Sequence, residues 1–476
     1  MLRKLIPSIL ILPFFLNFPY YKTLAKEKDN IILKSENDDE KIITYEQIVN
    51  ILLDKNQELK SLDKLLSSST FNLASKISKR YPKIDLVASG FPQYVNGKSY
   101  NSNTSNLKTS QISANPTISI RWDIISPLRG PEIKIAKNNY NLAKNNYEIK
   151  KKDLIQEARS RFHRLEKSYQ DIENRQMSLD LSATILKDAL SKFKSGIGTK
   201  FEVLEAEAQL ARDKQFLNET KFQQKINIIS LKEILNIKTN FKIAKDKKLV
   251  GYWNYDLKQN IKNGLENNLS LKNILIQKSI SKNQAKSFLN SNKPNIYLQN
   301  RFSSSFTKGD SLSLNIDPKE YGSNYSNTIS LNFDWNIFNG GQNKNSYKSK
   351  IAEAESQEFS LRNLKNITST NISEAYYNLK SNKEKIISTQ KEVSTIKESL
   401  RLAKLRYDVG ISTLKDILVI QKELSDARSK NINAIFNYNL NLNQLERLTF
   451  LDSSNNCIEK NEYKEDQTNT ICNIGI

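Results

Sequence analysis

Arg406-Tyr-Asp-Val-Gly-Ile-Ser-Thr-Leu-Lys-Asp-Ile-Leu418 interrupts a long helical pattern with a single glycine, Gly410. The phrase has an echo in Lys192-Phe-Lys-Ser-Gly-Ile-Gly-Thr-Lys-Phe-Glu-Val-Leu204. Gly196 matches Gly410, Ile197 matches Ile411, Thr199 matches Thr413, Glu202 matches Asp416 and Leu204 matches Leu418, all at an offset of 214 residues. These stretches read as two helical hairpin tips, at 194–199 and 409–413. Glycine permits the positive φ that a tight helix reversal needs.

Working outward from the first tip, residues 132–195 contain neither proline nor glycine. These 64 residues would form one helix on the order of 96 Å long. Ala136, Tyr140, Ala143, Tyr147, Leu154, Ala158, Phe162, Leu165, Tyr169 and Ile172 recur mostly at steps of three, four or seven, which is coiled-coil spacing. His163, the only histidine, lies beside Phe162 and reads as a surface or flanking residue rather than a ligand. A return helix is expected over 200–237, with Val203, Leu204, Leu210, Phe216, Phe222, Ile226 and Ile229 as candidate buried positions. The second tip is flanked in the same way, by a long helix over 343–408 and a return helix to about Leu448.

Farther upstream, Thr44-Tyr-Glu-Gln47 has capping-box spacing and opens a helix that Pro82 should stop near Arg80. The pattern then changes to period two. Strands are expected at about 83–94 and 116–125, separated by an Asn/Ser/Thr-rich loop at 95–113. Gly90 and Pro92 mark a bulge or edge in the first strand. Ile118, Ile120, Trp122 and Ile124 share one face of the second. Such a strand suits a membrane barrel with its ring at the lipid–water boundary, or one layer of a soluble sandwich.

Residues 251–450 repeat the order of 26–250. Asn268-Leu-Ser-Leu271 echoes Asn56-Gln-Glu-Leu59, and Pro294-Asn-Ile-Tyr-Leu298 echoes Pro82-Lys-Ile-Asp-Leu86. Leu331, Phe333, Trp335 and Ile337 echo the first Trp strand. Strands are expected at about 294–306 and 328–338, with a polar loop over 307–327. Each unit is helix, strand, strand, long helix, tip, helix. The fold class is mainly α with membrane β. A chain with four strands cannot close a barrel, since small barrels need about eight, and open edges are not tolerated in lipid. If these strands are membrane-embedded, several chains must therefore pool them, with the helices continuing from the pooled barrel as a tube.

At the N-terminus, Arg3 and Lys4 precede the apolar run Leu5–Leu16 and the cleavage-like Thr23-Leu24-Ala25, so residues 1–25 read as a secretory signal. The run is shorter than the roughly 20 residues of a spanning helix. Without residues 1–25 the formal charge falls from +22 to +19. The lysines are spread along helices rather than gathered in a basic arm, which fits a solvated surface rather than a nucleic-acid partner, as does export. Residues 451–476 form a tail whose Cys457 and Cys472 either close one disulfide or remain free thiols. One histidine and two distant cysteines make no zinc site. No phosphate loop, nucleophile elbow or histidine triad is present, so neither an enzyme nor a cofactor is expected.

The order of elements resembles the outer membrane efflux proteins of the TolC type over nearly the whole chain after residue 25. Trp335-Asn-Ile-Phe-Asn-Gly-Gly341 is similar to the family's strand-to-helix turn, and the 406–418 phrase to its tip. The resemblance implies a homotrimer with a 12-stranded outer membrane barrel, Trp122 and Trp335 at the membrane interface, and a long periplasmic helical tunnel. It implies docking to a periplasmic membrane fusion (adaptor) protein and an inner-membrane transporter of the RND or ABC type, in efflux or type I secretion. Gly196, Thr199, Tyr407, Gly410 and Thr413 would form the tips and the adaptor contact. The family's gate acids map to Asp416 and, in the first repeat, Glu202. A second acid maps to Val419, and a tip arginine to Ser412, so this chain departs from the pattern twice. Three copies of Asp416 around an axis would attract cations. The alternative role for Asp416 and Glu202 is to start their helices, where the dipole favours a carboxylate. The competing function is a periplasmic coiled-coil adaptor or scaffold without a pore, against which the full duplication argues.

Overall fold

The computed structural model describes residues 41–101, 104–243, 251–310 and 321–453. Residues 1–25, Cys457 and Cys472 lie outside them. The elements are β1 (Lys41–Ile43), α1 (Tyr45–Lys55), α2 (Gln57–Ser78), β2 (Lys83–Asn101), β3 (Thr104–Ile125), α3 (Arg129–Lys194) and α4 (Lys200–Leu235) in the first half. The second half holds β4 (Phe241–Ile243), α5 (Leu257–Asn267), α6 (Leu269–Asn290), β5 (Asn295–Asp310), β6 (Tyr321–Asp334), α7 (Gln342–Asp408) and α8 (Leu414–Thr449). The long helices α3 and α7, of 66 and 67 residues, are each roughly 100 Å long.

The helix that opens each half is broken once. Asn56 ends α1 in an extended conformation and caps α2, its Oδ1 accepting from Leu59 N–H at 3.0 Å. Its Nδ2 donates to the Ile234 carbonyl at 2.9 Å, tying the break to the end of α4. Asn268 breaks the second half in the same way, accepting from Ser270 and Leu271 N–H. The Asn echo therefore marks a helix break, where the sequence reads as one continuous helix. Asn56→Ala removes a cap worth about 1 kcal/mol and leaves a buried carbonyl short of its partner, worth about 1 kcal/mol more. The expected loss is about 2 kcal/mol, read as a lowered denaturation midpoint by circular dichroism.

Four strands form one antiparallel sheet in the order β2-β3-β5-β6. The stretch read as a loop at 95–113 is instead mostly strand, because β2 and β3 run on as a hairpin with pairs such as Val95↔Gln111 and Gly97↔Thr109. Likewise β5 and β6 extend into the predicted 307–327 loop, pairing Lys308 with Tyr321. The bulge at Gly90 is present as a register shift between Ser89 and Gln93. A second, small sheet pairs β1 with β4 in parallel, Ile43 opposite Ile243.

Three apolar clusters hold the helices. One, around Phe162, Leu165, Leu231 and Leu235, packs α1, α3 and α4 against the small sheet. A second, around Trp253, Leu379, Tyr438 and Leu442, is its counterpart in the second half. The third gathers Ala189, Val203, Ala403, Leu414 and Ile417 from all four long helices near the tips. His163 is buried in the first cluster rather than on the surface. Its ring lies 5.2 Å from that of Tyr45, and its Nδ1 is 2.7 Å from Glu166 Oε2. Of the positions expected to be buried on α4, Val203 is, but Leu204, Phe216, Phe222, Ile226 and Ile229 are exposed in the single chain. The apolar pattern there is broader than one partner helix can cover.

Candidate functional site: the sheet faces and the two tips

In an antiparallel pair, directly opposed residues share a face. Ile84 and Leu86 of β2 oppose Ile120 and Ile118 of β3. Trp122 and Ile118 oppose Leu298 and Phe302 of β5. Leu298 and Ile296 in turn oppose Leu331 and Phe333 of β6. One face is thus apolar across all four strands, and its large side chains other than Ile296 are exposed, Leu86 at 71% and Leu331 at 69%. From Leu298 to Phe306 the band runs roughly 26 Å along the strand at 3.3 Å per residue, close to the roughly 25 Å of a membrane barrel's lipid face.

The opposite face is polar. At the helix end of the sheet Lys83 pairs with Asp85 at 2.7 Å and Arg121 with Asp123 at 3.1 Å. The Arg121 guanidinium also lies 3.7 Å from the Tyr297 ring centre. Trp122 and Trp335 occupy the same end on the apolar side. Their indole N–H groups donate to the carbonyls of Arg80 and Asn292 at 2.9 and 2.8 Å, so each ring is tied to the turn that enters its hairpin. No described helix is long and apolar enough to cross a membrane.

The two tips have one geometry. Gly196 and Gly410 hold φ of +75° and +78°, with nothing near the place a Cβ would occupy, so their requirement is for backbone conformation alone. Ile197 N–H donates to Lys192 O at 3.0 Å and Ile411 N–H to Arg406 O at 2.8 Å, closing each helix end in a Schellman turn. Thr199 and Thr413 then cap α4 and α8. Glu202 Oε2 and Asp416 Oδ2 each accept from the N–H of their threonine at 2.9 Å, and each threonine hydroxyl accepts from the N–H of the acid. Both acids therefore complete capping boxes. The backbone N–H and hydroxyl of Thr413 hold the exposed Asp416 carboxyl below its usual range.

Tyr407 is not on the outer surface of its tip but buried at the junction of the two hairpins, 8% exposed. Lys192, from the first tip, places its Nζ 3.5 Å from the Tyr407 ring centre, donates to the Tyr407 carbonyl at 3.1 Å and lies 3.8 Å from Asp408 Oδ1. Burial, and behind it the charges of Glu202, Asp188 and Asp408, push the Tyr407 phenol up. Sequence reasoning missed Lys192 because its partners are more than 200 residues away. Higher in the coil a second polar junction is buried. Asp213 of α4 accepts from Ser182 of α3, from Gln209 at 3.1 Å and from Gln421 of α8 at 3.3 Å.

A sheet with one apolar exposed face and one polar face, continued by paired coiled coils that end in tight glycine turns, defines a membrane channel subunit with a helical conduit. The chain belongs to the outer membrane efflux protein family, whose sequence model matches residues 48–236 and 261–449, once in each repeat. It is an outer membrane efflux channel of the TolC type, with a periplasmic helical portion, and the family is one of channels rather than enzymes. Channels of this type form trimers. The fold is similar to that of the Campylobacter jejuni CmeC outer membrane channel, at 16% identity and a TM-score of 0.72 over 90% of this chain and 89% of that one. It is also similar to VceC from Vibrio cholerae, at 13% identity and 0.70 over 87% and 97%. The open-state MtrE channel of Neisseria gonorrhoeae matches at 14% identity and 0.65 over 85% and 88%. No curated protein matches the chain by sequence.

Proposed function

We propose that three copies of this chain pool their strands into one 12-stranded barrel and their coiled coils into a single tunnel. The duct would pass solutes from a periplasmic adaptor and inner-membrane transporter to the outside. The observation that carries the trimer is the pair of free sheet edges. Among the described strands β2 pairs only with β3 and β6 only with β5. Edges bordering an apolar face do not survive in lipid unless they are closed on each other. The exposed stripe of Phe222, Ile226 and Ile229 on α4 gives a second reason for neighbouring copies. Light scattering of the detergent-solubilised protein should give three chains per particle, and a monodisperse monomer would remove this assembly.

The tips supply the adaptor contact and the gate. Their outward side chains are apolar, with Ile197 at 81% and Ile411 at 72% exposure, which suits a partner hairpin tip. The buried Tyr407 serves the junction, not the adaptor. Asp416 caps its helix and, repeated threefold, would draw cations into the constriction; Glu202 is its counterpart in the first repeat. Asp416→Asn keeps an acceptor for Thr413 and removes the charge. It should weaken block by multivalent cations added from the periplasmic side several-fold, measured as the shift in half-blocking concentration. An unchanged value would take Asp416 out of the gate. The sign with pH follows from its lowered carboxyl. A depressed group keeps its charge until the pH falls below the ordinary aspartate value of about 3.9, so block should be flat from neutral pH to about 5 and fade only in stronger acid.

A further inference from the structure

Directly below the apolar band the charge balance of the chain changes. Residues 76–80, 129–137, 282–293 and 342–350 hold twelve lysines and arginines; Lys350 is paired with Glu353 just outside them, and they contain a single acid, Glu132. That acid is already engaged by Lys76 and Lys79, at 3.3 and 2.7 Å. The first repeat's lower coil at 165–235 holds eleven cations and eleven acids, and the second repeat's at 379–449 thirteen and eight, so the excess is steepest in these four stretches. All four stretches are helix ends that meet the strands, and each lies within roughly 12 Å of that junction at 1.5 Å per residue.

Two of these cations are placed more narrowly. The bond from Trp122 to the Arg80 carbonyl holds that turn beneath the apolar side of the sheet, and the bond from Trp335 to Asn292 does the same for the turn carrying Lys293. Arg80 and Lys293 are both exposed. Trp122 to Trp335 and Arg80 to Lys293 share one offset, 213 residues. In the first repeat Arg80 supplies both the carbonyl and the cation; in the second Asn292 supplies the carbonyl and the next residue, Lys293, the cation.

We propose that this collar binds anionic phospholipid headgroups of the leaflet facing the periplasm, with Arg80 and Lys293 as its two defined stations. The apolar band closes within three residues of the tryptophans, at Ile124, Ile125, Ile337 and Phe338, so the next few ångströms are headgroup depth. Cations there meet lipid phosphate within a screening length of about 8 Å. A zwitterionic headgroup offers little net attraction, whereas an anionic one is worth about 1 kcal/mol per lysine or arginine, or about fivefold in preference. The assignment rests on the tryptophans lying at the membrane interface.

The test uses the full-length protein reconstituted in phosphatidylcholine bilayers that contain either brominated phosphatidylglycerol or brominated phosphatidylcholine. Bromine quenches Trp122 and Trp335, while Trp253, buried among helices, supplies a constant background. Brominated phosphatidylglycerol should quench at about one-fifth the mole fraction of its zwitterionic counterpart. Arg80→Gln with Lys293→Gln should bring the two lipids close to parity, since each tryptophan bond is to backbone and survives. Lys187→Gln with Lys221→Gln, in the balanced coil, should change nothing. High salt should erase the preference of the unaltered protein, which keeps the test open if the double variant fails to insert. Equal quenching by both lipids, or a preference retained by the double variant, overturns the collar. Absence of quenching by either lipid removes the tryptophans from the interface and overturns both readings together.

Discussion

Lys192→Met should move the tip equilibrium toward the open state by about thirtyfold per subunit. The lysine joins the two hairpins of one chain through the face of Tyr407, its carbonyl and the nearby Asp408. A partly desolvated cation over an aromatic ring is worth about 1 kcal/mol, and a charged hydrogen bond to a carbonyl about 1 kcal/mol more. The sum corresponds to roughly thirtyfold. Methionine keeps the aliphatic stem, so the packing of Ala189, Ala403 and Ile417 below it persists. Separation of the hairpins, not unfolding, is the expected response. Open probability in single-channel recordings is the readout. If it is unchanged while the variant assembles normally, Lys192 only decorates the tip.

Asp213→Ala should cost about 3 kcal/mol of coil stability. A buried carboxylate is expensive to desolvate, and its donors largely offset that cost, so the intact cluster adds little net stability. Its removal is another matter. Ser182, Gln209 and Gln421 each lose an acceptor. Unpaired buried donors cost about 1–3 kcal/mol each, less where another acceptor remains. Ser182 and Gln421 still reach the Ser178 carbonyl, at 3.0 and 3.1 Å, which keeps the total near the lower end. Asp213→Asn retains an acceptor and should lose less than about 1 kcal/mol. Guanidinium unfolding followed by circular dichroism separates the two variants. Equal stability of Ala and Asn would show that the cluster is wet rather than paired. Because the donors come from α3, α4 and α8, this layer also fixes the register between the hairpins, as polar residues do at coiled-coil core positions.

The parts of the fold that were legible in the sequence are those with a strong local signal. Gly196 and Gly410 stand out because only a positive φ justifies glycine within such patterns. The Trp strands stand out because one face must be apolar and the other polar. The hairpin extension at 95–113 was not legible, since above the lipid band both faces are polar and the alternation disappears. The break at Asn56 lacked a proline or glycine, and only its echo at Asn268 hinted at a shared role. His163 gave no sign of burial because Tyr45, which covers it, comes from another helix. The exposed Phe222 and Ile226 show a different limit: an apolar stripe reports that something covers it, not which copy does. At the site, the capping acids Glu202 and Asp416 could be placed from spacing, whereas Lys192 and Asp213 act across hairpins and required the packed structure.

Planar-bilayer recording of the purified full-length protein decides whether the chain forms an outer membrane duct gated at its tips. Stable, cation-selective steps of low open probability are expected, lengthening markedly when Lys192 is replaced by methionine. A protein that recovers as a soluble monomer and produces no steps in either form would contradict the duct.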